Sequence, residues 1–146
     1  MKPTIFIIFC VVLINIISVA YGRCQKCRKY ETKERKFCRA TFVIRGKETG
    51  GRTLPEFQHK KEEAEFQVYA NYKKKVPNVM KVRTDRDACG FSFQKGVEYL
   101  MSGTIRRSRY GVIYETNSCL WNDKWQNIKY GTQRKLKSGW FAKKCD

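Results

Sequence analysis

The 146-residue sequence has few of the residues on which catalytic sites depend. His59 is the only histidine, and it lies in a polar stretch from Glu48 to Glu63 that we interpret as an exposed connection. A Ser/His/Asp or Cys/His nucleophile needs a histidine held beside it, which a single loop histidine does not supply. The 13 acidic residues are scattered, and neither a Gly-rich phosphate loop nor an HExxH pair occurs. These absences predict a protein that is not an enzyme and has no cofactor of its own.

Long apolar runs are also absent, with one exception near the start. The run from Ile5 to Ile17 follows Lys2 and precedes a stretch of small residues that ends at Gly22. This order is typical of a secretory signal peptide. The alternative, a membrane anchor, needs about twenty apolar residues, and this run is shorter. We therefore predict that residues 1–22 are a signal peptide, that the protein is secreted and extracellular, and that it has no membrane span.

Removal of the signal peptide changes the cysteine count from odd to even. Cys10 leaves with it, and six cysteines stay in the mature chain: Cys24, Cys27, Cys38, Cys89, Cys119 and Cys145. In an oxidising compartment six cysteines indicate three disulfides, for which composition alone allows fifteen pairings. In a cytosolic protein the Cys24-x-x-Cys27 motif could instead be a redox pair or half of a zinc site. Signal peptidase recognises small residues, which places the mature N-terminus at Tyr21 or Arg23, and cleavage after Arg23 would place it at Cys24.

The charge is strongly positive. The whole chain has 31 basic and 13 acidic residues, and only Lys2 leaves with the signal peptide, so the mature balance is +17. Outside the cell the matching partner is sulfated glycosaminoglycan or an acidic protein surface, because a secreted protein rarely meets nucleic acid. The alternative is that the charge serves solubility only.

Alternation of apolar and polar residues predicts strands over most of the mature chain. Residues 37–46 and 65–73 alternate with period two, and three shorter segments around Met80, Tyr99 and Val112 do the same. Near the end, Trp121, Trp125 and Ile128 have helical spacing, and Thr132 could cap a short helix that ends at Gly139. The fold class predicted from these patterns is mainly β (α+β), with five strands in a small barrel or sandwich and helices last.

Several motifs then occur in a recognisable order. Two cysteines near the mature N-terminus precede a third, Cys38, which is followed by the strand-like stretch 37–47. The segments Ala88-Cys89-Gly90 and 96–103 (GVEYLMSG) follow, and then Cys119, Trp121, Thr132-Gln133-Arg134, Leu136 and Cys145. Together they resemble the N-terminal, netrin-like (NTR) domain of the tissue inhibitors of metalloproteinases (TIMPs), over nearly the whole mature chain.

The resemblance implies a specific fold and a specific disulfide pattern. It implies an OB-fold, a five-stranded β-barrel with flanking C-terminal helices, in one NTR/TIMP-like domain over residues 23–146. The pairs that it implies are Cys24–Cys89, Cys27–Cys119 and Cys38–Cys145.

The resemblance also implies a function, inhibition of zinc metalloproteases of the matrix metalloproteinase type. In the family, the first cysteine is the mature N-terminus, and its α-amino nitrogen and carbonyl oxygen chelate the zinc of the target protease. Carried over to this chain, Cys24 is the metal-binding residue and Gln25 the pocket residue. In the family this N-terminal segment enters the active site of the protease as a wedge. The family spaces its first two cysteines as CxC, whereas here the spacing is CxxC, so the wedge is one residue longer. The protease-binding residues implied are Cys24, Gln25, Lys26, Cys27, Ala88, Cys89 and Gly90.

A second hypothesis is a non-inhibitory NTR module that binds heparan sulfate or extracellular matrix through its basic surface. Three clusters motivate it: residues 26–36, residues 73–75, and Arg106, Arg107 and Arg109. A third hypothesis follows from the fold alone, because OB barrels often bind single-stranded nucleic acid on surface aromatics such as Tyr69, Tyr72 and Phe91. The secretory signal argues against this third hypothesis, and we predict no nucleic-acid partner.

Overall fold

The architecture is a computed structural model that describes Cys24, residues 26–54 and residues 61–145. The predicted signal peptide, Gln25 and His59 lie outside the described residues. Within them, no helix is both long enough and apolar enough to cross a membrane. The described elements are helix α1 (Lys33–Arg39), strands β1 (Phe42–Thr53), β2 (Lys61–Lys73), β3 (Val79–Asp85), β4 (Glu98–Ser108), β5 (Gly111–Glu115) and β6 (Asp123–Lys124), a 3₁₀ turn (Trp125–Asn127), helix α2 (Tyr130–Lys137) and a second 3₁₀ turn (Ala142–Lys144).

Five of the strands form a closed ring. Strand β1 pairs with β2, β2 with β3, β3 with β5, β5 with β4, and β4 returns to pair with β1. The β3–β5 pairing is parallel and the other four are antiparallel. Strand β6 adds a short antiparallel pairing outside the ring on β4. The predicted mainly β fold with three disulfides is confirmed.

Apolar side chains on alternate residues of the ring fill two separate clusters. Phe42, Ile44 and Met101 lie inside the ring with side chains from all the other ring strands. Val43 and Leu100, their chain neighbours, point the other way because successive side chains of a strand face opposite sides. There they pack against the C-terminal helix and turns, in a second cluster with Phe37, Trp121, Trp125, Ile128, Leu136 and Phe141. Strands β1 and β4 are therefore buried on both faces.

The first predicted strand begins too early. Its first three residues belong to helix α1, whose cap Thr32 accepts a hydrogen bond from the Arg35 amide at 3.3 Å. Glu34 in the first turn and Arg39 in the last complement the helix dipole. The strand itself begins at Phe42, so the apparent alternation through Cys38 is part of a helix.

The polar stretch from Glu48 to Glu63, predicted to be an exposed connection, is mostly strand. Strand β1 continues to Thr53, and Arg52 lies opposite Glu63 in the β1–β2 register. Glu48 and Glu63 are both buried. The predicted connection was wrong for residues 48–53 and 61–63, because pairing with a second strand satisfies their backbone, although Thr49 and residues 51–53 are exposed as expected.

The C-terminal predictions are correct in part. Helix α2 carries the buried Leu136 and ends before Gly139, whose φ of +72° suits glycine, as expected. It begins at Tyr130, however, and its N-cap is Lys129 instead of Thr132. Trp121, Trp125 and Ile128 share the second cluster, but only a 3₁₀ turn at Trp125–Asn127 is helical.

The third disulfide fastens the C-terminal end to helix α1. Cys38 and Cys145 are bonded, with Cα atoms 5.0 Å apart and a sequence separation of 107. A loop of about a hundred residues closed in this way stabilises a fold by roughly 4 to 5 kcal/mol in the chain-entropy account.

Candidate functional site

The start of the described chain is tied to the ring by two neighbouring disulfides. Cys24 is bonded to Cys89 and Cys27 to Cys119, with Cα–Cα distances of 4.7 and 4.9 Å. These are the pairs that the family resemblance implies. Cys89 follows strand β3 and Cys119 follows β5, so the N-terminal segment lies across the loops that leave two adjacent parallel strands. We call this region, made of Cys24 and residues 26–30, 86–90 and 117–119, the tethered rim.

The sulfur atoms of the tethered rim are close together. The Sγ of Cys119 lies 3.9 Å from the Sγ of Cys24, and the sulfurs of Cys24, Cys27 and Cys119 all lie within 4.8 Å of one another. Three thiolates at this spacing could hold a metal ion, but each of these sulfurs is in a disulfide and none is a thiolate. The cluster is therefore a covalent anchor.

Each loop cysteine of the rim is fixed by an acidic or amide side chain two residues earlier. The Cys89 amide donates to Oδ1 of Asp87 at 2.8 Å, and the Cys119 amide donates to Oδ1 of Asn117 at 2.9 Å. Such Asx turns hold a loop in one conformation. The sequence analysis missed these two positions, although the repeated Asp/Asn-x-Cys pattern could have revealed them.

The two loops of the rim are also joined to each other. The Ser118 amide donates to the Cys89 carbonyl at 2.9 Å, and the Ser118 hydroxyl donates to the Ala88 carbonyl at 3.3 Å. Gly90 lies so close to the backbone of Asp85 that an added Cβ would overlap the Asp85 carbonyl oxygen. The loop containing Ala88, Cys89 and Gly90 thus has little freedom to move away from the Cys119 loop.

The N-terminal segment presents charge and one aromatic ring to solvent. Lys26, Arg28 and Lys29 are exposed, and Tyr30 is 98% exposed with a φ of +60°, a conformation that few non-glycine residues adopt. Three of these residues line a cleft of about 330 Å³, whose walls are Cys24, Cys27, Arg28, Lys29, Tyr30, Ala88 and Ser118. The outer surface of the tethered rim is therefore positively charged.

Cys24 itself is fixed by its disulfide and by a hydrogen bond to its carbonyl oxygen. It is only 6% exposed, and its carbonyl oxygen accepts a hydrogen bond from the Cys27 amide at 3.2 Å. A backbone carbonyl has two lone pairs, so this bond leaves one of them available.

One ion pair connects the segment to helix α1 and to the rim. Glu31, whose side chain is buried, pairs with Arg39 at 2.9 Å. The same guanidinium donates to the Cys119 carbonyl at 2.9 Å. Arg39 therefore links the end of the segment to the loop that carries the second disulfide, a role that the sequence analysis also missed.

Most of the site residues expected from the resemblance are brought together in the rim. Cys24, Cys27, Ala88 and Cys89 lie on the cleft or in its two disulfides, Gly90 follows in the same loop, and Lys26 is exposed beside them. Gln25 lies outside the described residues.

A second cleft, of about 240 Å³, contains two carboxylates that the sequence analysis considered scattered. Glu48 and Glu63 both line it. Glu63 pairs with Arg52 at 3.0 Å and with Arg83 at 3.3 Å, so it is not free for acid–base chemistry. Burial raises the pKa of Glu48, whose Oε2 has no hydrogen-bond partner among the described residues. None of the expected site residues lies on this cleft.

The three basic clusters proposed from the sequence differ in how much charge they leave free. The Lys73 ammonium donates to the Phe37 and Cys38 carbonyls at 3.2 and 2.6 Å, and Arg106 pairs with Glu115 at 3.2 Å. The Lys33 ammonium lies over the ring of Trp121, 5.6 Å from its centroid. Part of each cluster is thus already in contact with the protein.

Two comparisons with known proteins bear on the site. A family model described as tissue inhibitor of metalloproteinase matches residues 23–146. An "NTR domain-containing protein" of Margaritifera margaritifera is 28% identical over 143 residues, an alignment that covers 86% of this chain and 87% of that protein. The family-model match includes all six cysteines of the three disulfides.

Proposed function

This chain belongs to the tissue inhibitor of metalloproteinase family, and on that premise we propose that it is a secreted inhibitor of zinc metalloendopeptidases of the matrix metalloproteinase type. The observation that supports this most directly is the tethered rim. Two disulfides hold Cys24 and Cys27 against loops that are themselves fixed by Asx turns. A segment held in one conformation before binding loses less entropy on association than a free one.

In this proposal Cys24 is the residue that contacts the zinc of the protease. Its α-amino nitrogen, once Cys24 is the mature N-terminus, and its carbonyl oxygen are the two ligands. A catalytic zinc has three protein ligands and an open position for water; the two atoms of Cys24 would replace the water and give the zinc five ligands. The single hydrogen bond to the Cys24 carbonyl leaves the lone pair that this requires.

The neighbouring residues would shape the rest of the contact. Gln25 would enter the pocket beside the zinc, and Lys26 with Cys27 would continue the wedge. Ala88, Cys89 and Gly90 would form the second contact loop, which the bonds from Ser118 hold beside the wedge. The positive outer surface would favour proteases whose active-site cleft is flanked by acidic residues.

We infer that the five-strand ring is an OB-fold barrel and that residues 23–146 form one NTR domain behind a signal peptide of residues 1–22. The ring closure through β1 and β4, with the C-terminal helix packed outside, supports the barrel.

The test is inhibition of a matrix metalloproteinase catalytic domain by forms that differ only at the N-terminus. We expect strong inhibition by protein that begins at Cys24. Protein that retains Arg23, or that begins at Cys24 with an acetylated amine, should be at least about 100-fold weaker, because even outer-shell changes cost a metal site 10–100-fold. Acetylation is the matched control, since it removes the amine without adding a side chain.

Equal inhibition by all three forms would falsify the chelation mechanism. Intact mass of the secreted protein determines which form is natural. A natural start at Tyr21 or Arg23, without later trimming, would contradict the proposal for this chain.

A further inference from the structure

The side chains of residues 124–145 carry charge of one sign only. Residues 124–145 include seven lysines and arginines and no aspartate or glutamate. None of the seven forms an ion pair with a described residue. By contrast, Arg45, Lys61 and Arg106 of the ring are all paired with glutamates. Ion pairs with the described residues therefore compensate none of the positive charge in residues 124–145.

The backbone that carries these cations is fixed by packing and by a disulfide. Leu136 and Phe141 are buried in the second core cluster, and the Cys38–Cys145 disulfide fixes the end of the segment. Between them, the positive φ of Gly139 turns the chain back, so that the Trp140 amide donates to the Lys135 carbonyl at 3.0 Å. The spacing of the charges is thus set by the fold.

The turn places a tryptophan between two ammonium groups. The Nζ atoms of Lys135 and Lys144 lie 4.2 and 5.4 Å from the centroid of the Trp140 ring. Trp140 is partly buried and packs against Phe141, with 5.1 Å between ring centroids. Two like charges near one ring repel each other, so an anion that contacts both would be favoured.

We propose that this face binds a linear sulfated polysaccharide of the heparan sulfate type. We define it as the C-terminal basic surface, formed by Arg134, Lys135, Lys137, Trp140, Lys143 and Lys144. Sulfates repeated along such a chain can contact several of these cations at once. Because the Lys135 and Lys144 ammonium groups already lie near the Trp140 ring, they lose less entropy on binding than unattached side chains would.

An anionic lipid surface fits less well. Membrane-surface binding combines cations with apolar side chains that enter the headgroup region. Trp140 is the large apolar side chain of this surface, and it is packed against the core. Two of the basic clusters proposed from the sequence are also less suitable, since Lys73 and Arg106 are already bound to other groups of the protein. This proposal does not depend on the inhibitory one.

The test compares two triple variants that remove equal charge. The surface variant carries Lys135→Gln, Lys143→Gln and Lys144→Gln, and the control carries Lys75→Gln, Arg107→Gln and Arg109→Gln. All six side chains are exposed, and none forms an ion pair with a described residue. The affinity for a heparin oligosaccharide is measured at several salt concentrations. We expect the surface variant to lower the slope of log affinity against log salt by roughly two to three, and the control by less than about one.

Equal effects of the two variants would overturn the proposal, because they would show a response to net charge alone. Release of the unmodified protein from heparin at physiological salt would also overturn it. Unfolding midpoints and protease inhibition should be unchanged in both variants, which shows that the fold and the tethered rim are intact.

Two further binding measurements identify the ligand. Desulfated heparin should bind at least tenfold more weakly than heparin if sulfates are the groups recognised. Vesicles containing phosphatidylserine are the lipid probe, and tighter binding to them than to heparin would contradict the polysaccharide assignment.

Discussion

The two ends of the described chain are both attached to the ring, but by different means. The N-terminal segment has two disulfides and almost no apolar packing, and its Tyr30 is nearly fully exposed. The C-terminal segment has one disulfide and a set of buried side chains, among them Leu136 and Phe141, which is 2% exposed. Covalent bonds replace a core at one end and supplement it at the other.

The difference fits the two roles proposed above. A segment that must insert into another protein cannot bury its own side chains against the ring, so its position has to be fixed through bonds at its base. A surface that only displays charge can be built on a packed helix. The comparison predicts that the two ends respond differently to loss of a disulfide and to loss of a buried ring.

Removal of single disulfides should show the largest effects. The Cys27–Cys119 and Cys38–Cys145 pairs span 92 and 107 residues, so replacing either pair by serines should cost a similar free energy of unfolding, about 4 to 5 kcal/mol in the chain-entropy account. Protease inhibition should fall strongly only in the Cys27→Ser/Cys119→Ser variant, because the C-terminal end stays packed. Denaturant titration and inhibition assays measure both. Equal loss of inhibition under conditions where both variants are folded would contradict the proposed difference between the two ends.

Truncation of an aromatic side chain should have the next largest effect, and only at the C-terminal end. Phe141 packs against Phe37 and Trp121, with ring centroids 5.4 and 5.2 Å away. Phe141→Ala should therefore lower the free energy of unfolding by roughly 3 to 5 kcal/mol. The matched change at the other end, Tyr30→Ala, should alter it by no more than about 0.5 kcal/mol. A cost at Tyr30 that approaches the cost at Phe141 would show hidden packing in the N-terminal segment.

Loss of Arg39 should have a smaller effect, confined to the N-terminal end. Arg39→Gln leaves the buried Glu31 carboxylate without its cation and frees the Cys119 carbonyl. We expect a loss of about 1 to 3 kcal/mol in unfolding free energy, the cost of leaving a charged group unpaired. Arg35→Gln on the same helix is the control, since Arg35 forms no ion pair with a described residue. If both variants unfold alike, the Glu31 pair contributes nothing to the rim.

The smallest expected change in unfolding free energy comes from Glu115 in the ring, and it depends on pH. Burial opposes ionisation of Glu115, but hydrogen bonds from Arg106 and Lys61 outweigh it, and the pKa of Glu115 is lowered. A lowered pKa adds stability above the unfolded value of about 4.3, and this stability is lost as the pH falls through the folded value. Since the partners are partly exposed, we expect no more than about 1 kcal/mol. Urea unfolding between pH 6 and pH 3 measures how the free energy of unfolding falls with pH. This fall should be less steep for Glu115→Gln than for the unmodified protein, and an equally steep fall would contradict the assignment.

The sequence predicted the strands well where one face is apolar and the other polar. It failed at residues 37–41, because Cys38 and Ala40 extend the alternation of β1 while Thr32 and the docking of Phe37 impose a helix. It failed again after Glu48, because strand pairing with β2 stabilises polar residues that composition assigns to a loop.

The site was less accessible to sequence reasoning than the fold. Composition left fifteen disulfide pairings open, and only the family resemblance selected one. The Arg39 contact with Cys119 joins residues 80 apart, and no local pattern indicates it. The Asx turns at Asp87 and Asn117 are local, so their spacing before each cysteine could have been recognised.

The closeness of the sulfurs in the tethered rim has a consequence for making the protein. With the Sγ of Cys119 only 3.9 Å from that of Cys24, exchange between the two neighbouring bridges through a thiolate requires little movement of these sulfurs. Cys27 and Cys89 would then pair with each other, and the mispaired isomer would have no free thiol and the same mass as the native protein. A thiol count cannot distinguish the two, so a recombinant preparation needs a peptide map of its bridges before any failure to inhibit is attributed to the sequence.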